Sequence, residues 1–334
     1  MKYSISEPVI TSHQFYALPL SIICSDENLR PWLYSEFVQW HTFRNREDER
    51  MHMRVYNNMN EMFKYEPLHE TIILPKQLAN GDNIIDVFKG ILNEFQYIYD
   101  FVDSYYISAD PRTYHCMHDL LIYGYDNDLS VLHAFAYQGD KLKKFDIPYE
   151  EYQTAYNSDY QKSQFHCTVL YRKKQEKYHP NIGRIGMHLM DYLNGVNTYN
   201  REFPLSVELY KPKFGLNVYK ELKYNLQYMR QWHLSIDIPD MYCVYDHKRF
   251  MHDRIIYLDQ NTELKCSDNL KFSFDEIEKV GRILIMLALK INQKKMTSDR
   301  DYDDLMQRFD VLLELEKRTY SEFYEYNHLA FENA

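Results

Sequence analysis

Side chains able to do chemistry crowd into one stretch, Tyr114-His115-Cys116-Met117-His118-Asp119-Leu120-Leu121-Ile122-Tyr123-Gly124-Tyr125-Asp126. His118 enters an apolar strand pattern that ends in Gly124-Tyr125-Asp126 and is followed by a hairpin signal. An imidazole fixed this way can take the proton of a nearby thiol, and the thiolate–imidazolium pair is nucleophilic at neutral pH. Cys24 is the thiol of the N-terminal segment. It stands just before Ser25 and Asp26, either of which can cap a helix over Asp26–Trp40, and a helix N-terminus favours a thiolate. Equally, His118 can be a partly buried strand residue with no chemistry. A metal centre is not expected, because His115 and Cys116 are neighbours on an extended chain and point to opposite faces. The other cysteines, Cys116, Cys167, Cys243 and Cys266, are scattered and form no CxxC pair. That excludes a disulfide framework or zinc ribbon, and Cys167 reads as a small buried hydrophobe.

The elements that must hold these residues follow from periodicity. Ile84, Ile85, Val87, Phe88, Ile91, Leu92, Phe95 and Ile98 repeat at helical spacing within Asn83 to Phe101. Leu120–Asp126, Ser130–Tyr137 and the Lys143–Tyr149 segment read as strands of an antiparallel meander, with turns at Asn127-Asp128 and Gln138-Gly139-Asp140. Pro148 then opens a short helix, and Gln164–Lys174 is a further strand. Beyond about residue 175 the pattern is helical: Ile182–Tyr192, Leu216–Trp232, Asp240–Leu258, Phe274–Ile291 and Tyr302–Tyr324. The acidic Asp299–Asp304 run opens the last of these, where carboxylates suit the dipole. Asp246, His247, Lys248 and His252 are expected to face water from their helix. The predicted fold class is therefore α+β, with one domain over residues 1–175 and a helical domain over 176–334.

Composition narrows the function. The 334 residues carry 39 Lys+Arg against 49 Asp+Glu, a net charge of -10, so a nucleic-acid partner is not expected. Only 9 glycines occur and no GxGxxG or GxxxxGK[ST] is present, which disfavours the familiar nucleotide enzymes. With 32 Tyr and 18 Phe, an aromatic-lined pocket is permitted. No apolar run approaches a membrane span, and Met1–Phe15 lacks a signal-peptide pattern, so the expected location is the cytoplasm. Arg172, Lys173, Lys174 and Lys177 form the densest basic cluster, either a solvated face or a dock for an acidic protein.

The block from His118 to Tyr156, MHDLLIYGYDNDLSVLHAFAYQGDKLKKFDIPYEEYQTAY with its preceding Met, resembles the butirosin-biosynthesis-protein-H type of domain, related to papain-like C39 peptidases. The SIIC and PWLYSEFVQ segments and Met241–Leu258 resemble members found beside nonribosomal-peptide clusters. The resemblance implies a papain-like first domain and amide-forming acyl transfer. An acyl group would pass from a carrier-protein phosphopantetheine thioester to Cys24, then to an amine such as a diamine, without a further cofactor. It implies His118 as general base. The family's strand Asp or Asn is missing from Val131–Tyr137, so Asp126 or Tyr137 would orient the ring. Gln14 would supply an oxyanion amide. The partners implied are an acyl or peptidyl carrier protein and a small amine, and the helical half is open to a second copy of the chain. Two alternatives stand beside this: a cysteine hydrolase, and a non-catalytic binding protein. The latter follows if the apolar run before Cys24 is itself the first helix, for then the nucleophile position falls near Gln14.

Overall fold

The computed structural model describes residues 1–47, 49–55, 66–75, 84–95, 97–109, 112–139, 141–160, 166–172, 177–202, 209–293 and 299–334. In chain order the elements begin with α1 (Gln14–Cys24), β1 (Trp40–Arg44), β2 (Met51–Val55), β3 (Leu68–Pro75), α2 (Ile84–Phe95) and β4 (Tyr97–Asp103). The hairpin strands β5 (Met117–Asp126), β6 (Val131–Gln138) and β7 (Lys141–Pro148) follow, then α3 (Tyr149–Asn157) and β8 (His166–Arg172). The rest is α4 (Ile182–Asn194), α5 (Tyr199–Glu202), β9 (Lys213–Phe214), α6 (Val218–Gln231), α7 (Ile238–Asn261), α8 (Asp268–Gln293), α9 (Asp299–Tyr326) and α10 (His328–Asn333). The fold is mixed α+β with two antiparallel sheets and a helical C-terminal half.

The chain forms two compact units: Met1–Arg30 with Glu61–Lys177, and Pro31–Asn60 with Tyr178–Ala334. A single cut at 175 therefore misses that residues 31–60 belong with the helical half. The first unit is a six-stranded sheet in the order β3-β8-β4-β5-β6-β7. Leu120, Ile122, Leu132, Ala134, Ala136 and Ile147 alternate onto one face and pack with Phe88 and Leu92 of α2 and Tyr152 and Ala155 of α3. Cys167 is buried in the same cluster. The alternate residues, Asp119, Leu121, Tyr123, His133, Phe135 and Tyr137, lie on the opposite face, against which α1 packs.

Two local departures from the sequence reading have physical causes. Tyr16 to Ile23 are all buried, so the apolar run itself is the first helix, even across Pro19. The helix expected over Asp26–Trp40 is instead a 3-10 turn, Arg30–Ser35. Asp26 Oδ1 accepts from the Asn28 amide at 2.9 Å, an Asx turn that competes with helix, and Phe37 has φ +58°. Likewise, the helical spacing of Asn83 to Phe101 stops at Phe95. Tyr97, Ile98, Tyr99 and Val102 become β4, hydrogen-bonded between β8 and β5.

In the second unit, β2-β1-β9 form a small sheet beside the long helices. Asp246, His247 and Lys248, expected to face water, are buried. Lys248 Nζ lies 2.5 Å from Glu316 Oε1, with both side chains fully buried. Tyr192 and Tyr219 donate to Glu316 Oε2 at 2.6 Å each, and the ammonium stands 3.5 Å from the Trp40 ring centre. Burial draws the Lys248 pKa down to about 8, against the opposing pull of Glu316. His247, buried beside Lys248, hydrogen-bonds the Val38 carbonyl at 2.8 Å. Only His252 keeps partial exposure, paired with Glu278 at 2.7 Å. A polar run on a helix faces water only when its partners do not; here α9 brings a carboxylate to it.

Candidate functional site

The N-terminus of α1 meets the start of β5 in the first unit. Gln14, the first residue of α1, lies with its amide nitrogen 3.1 Å from His118 Nε2 and 3.3 Å from Nδ1. The same nitrogen donates to Asp119 Oδ1 at 2.5 Å. Its carbonyl oxygen accepts the backbone N–H of Tyr137 at 2.9 Å. That last bond fixes the amide orientation: a peptide N–H can only donate, so Oε1 must face Tyr137 and the NH2 must face His118 and Asp119. The Tyr137 hydroxyl donates to the Thr11 carbonyl, tying β6 to the segment that leads into α1.

Asp119 completes the arrangement. Strand alternation puts it on the α1 face, and its second oxygen accepts from the Tyr99 hydroxyl of β4. Burial pushes its carboxyl above the usual range, while the Tyr99 hydrogen bond and the charge of His118 act the other way. Sequence reasoning passed over Asp119 and Tyr99. The signal for Asp119 was available: strand alternation with Leu121 and Tyr123 puts it, rather than His118, on the face toward α1.

Of the sequence candidates, the structure brings together Gln14, His118 and Tyr137. Cys24 and Asp126 lie elsewhere. Cys24 is the last residue of α1, about 15 Å along the helix from Gln14 at 1.5 Å per residue. It therefore sits at the carbonyl end, where the helix dipole opposes a thiolate, and not at the amide end expected from a helix over Asp26–Trp40. Asp126 is at the far end of β5, about 26 Å of extended strand from His118. Its carboxylate accepts the Asp128 and Leu129 amides at 2.9 and 3.0 Å and shapes the β5–β6 turn, and these bonds, led by Leu129, hold its pKa below the usual value. In the basic cluster, Arg172 is turned inward rather than solvated: its guanidinium donates to Tyr97 Oη at 2.6 Å and to Ser4 and Ser25 Oγ at 2.8 Å each. Lys173 and Lys174 lie outside the described residues.

Among the described residues no group of three metal-ligating side chains converges. Among the same residues no helix is long and apolar enough to cross a membrane. No protein-family model matches the sequence, and no curated protein matches it.

Proposed function

We propose that this chain is a non-catalytic binding protein on a papain-like frame, in which a glutamine amide occupies the position of a nucleophile. The single observation that carries this reading is the contact of Gln14, first residue of α1, with His118 at 3.1 Å. Helix N-terminus and strand histidine meet, and the residue at the meeting point carries no nucleophile and cannot form an acyl-enzyme. Amide-forming acyl transfer and hydrolysis both require a thiol within hydrogen-bond reach of the imidazole. The roughly 15 Å of α1 between Cys24 and Gln14 weighs against both. A further support is the engagement of the amide: Gln14 contacts Tyr137, Asp119 and His118 at once, which suits a fixed structural contact rather than a reacting group.

The test is to challenge the wild type and a Gln14→Cys variant with an N-acetylcysteamine acyl thioester and follow intact mass. The wild type should gain no His118-dependent acyl adduct. Gln14→Cys should gain one, lost again in Gln14→Cys/His118→Ala. An adduct on wild-type Cys24 that requires His118 overturns the proposal and restores the acyltransferase.

A further inference from the structure

A second cleft in the first unit carries a better-defined ligand chemistry. Asp103, at the end of β4, has a fully buried side chain whose Oδ2 lies 2.7 Å from His115 Nδ1. The same oxygen accepts from Ser158 Oγ at 2.7 Å, and Oδ1 accepts the Tyr105 and Cys116 amides at 3.2 Å each. Burial alone would raise this carboxyl, yet the four donors hold it below its ordinary value. In the neutral tautomer whose Nδ1–H donates to an ionised Asp103, the Nε2 lone pair lies on the other edge of the ring. The His115 side chain is 44% exposed and lines a cavity of about 840 Å³.

Among the described residues, the charged side chains that line the cavity are carboxylates. Tyr106 and Tyr160 flank His115, with ring centres 5.6 and 5.9 Å from the imidazole. Glu150, in the first turn of α3, and Asp159, just past its end, add two carboxylates. Among the described residues no Lys or Arg lines the cleft. Ring faces and carboxylates both attract a cation, and the lone pair on His115 accepts an N–H. A volume of this size takes a small organic molecule.

We infer that the cleft between Tyr106, His115, Glu150, Asp159 and Tyr160 binds a primary alkylammonium group, with His115 Nε2 accepting one of its N–H bonds. The dyad of Asp103 and His115 serves here as an oriented acceptor, so no covalent step is involved. This site is separate from Gln14 and His118, and the inference stands whichever way the thioester experiment falls.

The test uses the full chain and three probes of similar size: n-butylammonium, tetramethylammonium and butyrate. Binding is read from chemical-shift changes at the His115 and Tyr160 rings, at constant ionic strength. Butylammonium should bind with shifts at both rings, tetramethylammonium more weakly for want of an N–H, and butyrate not at all. Glu150→Gln/Asp159→Asn, both at exposed positions, should weaken butylammonium about tenfold or more. His115→Phe keeps the ring but removes the acceptor, and should erase the preference for butylammonium over tetramethylammonium. Butyrate binding as well as butylammonium, no shift at His115 with any amine, or undiminished binding by the double variant overturns the inference.

Discussion

Asp240 makes the stability of the second unit depend on pH in a direction opposite to most carboxylates. It lies in the first turn of α7, where Oδ1 accepts the Met53 amide of β2 at 3.0 Å. Its Oδ2 is buried with no hydrogen-bond partner among the described residues. Burial, reinforced by the neighbouring charge of Asp237, pushes its pKa up to about 7, with Arg54 opposing. The unfolded value is about 3.9. Between these values the folded chain binds more protons than the unfolded chain, so stability falls as pH rises through this window. The cost of ionisation works out to about 1.5 kcal/mol at pH 5 and about 4 kcal/mol at pH 8. Asp240→Asn removes the titration and keeps the acceptor for Met53. Its new NH2 sits where Oδ2 had no partner, a constant penalty of about 1–3 kcal/mol. The pH dependence of the difference is therefore the readout. Trp32, Trp40 and Trp232 all belong to the second unit, so tryptophan fluorescence in a urea titration reports on it selectively. The variant should gain on the wild type by about 2–3 kcal/mol between pH 5 and pH 8. A difference that is flat with pH, or that shifts toward the wild type at pH 8, refutes the reasoning.

Other perturbations have equally definite outcomes. Lys248→Met should cost about 3–5 kcal/mol by leaving Glu316 buried without its cation, and Lys248→Met/Glu316→Gln should recover a large part of that; urea midpoints read by the same fluorescence check both. Gly215→Ala should destabilise the same unit by more than about 1 kcal/mol, because φ is +51° and the new Cβ would lie 2.0 Å from the Tyr192 carbonyl oxygen. Gly90→Ala, in α2 with open space around it, should instead stabilise by roughly 0.5–1 kcal/mol, seen as a higher midpoint in thermal circular dichroism.

Local pattern carried the meander and the helical half. The alternation of Leu120–Asp126 and Ser130–Tyr137 is β5 and β6 almost residue for residue, since each strand hides one face on α2 and α3. The stripe from Ile277 to Ile291 is α8, extended by a further turn and more before Phe274. What failed depended on partners distant in sequence. Trp32, Leu33, Phe37 and Trp40 have helical spacing, but they are buried from an irregular turn and a strand. Nothing near Lys248 in the sequence announces Glu316, and nothing near His115 announces Asp103 as its partner. Gln14, His118 and Tyr137 were each named from the sequence, but alongside Cys24 and Asp126, which the structure places at the far ends of α1 and β5. Which residue meets His118 depends on where α1 begins, and the continuous burial of Tyr16 to Ile23 decides it.

The central claim is that Cys24 does not work with His118. Iodoacetamide labelling of the folded wild type across pH, peptide-mapped and run beside His118→Ala, tests it most directly. Cys24 should label no faster below the ordinary thiol pKa of about 8.5 than an unassisted thiol, and identically in both proteins. Selective labelling of Cys24 at lower pH that disappears in His118→Ala would contradict the account.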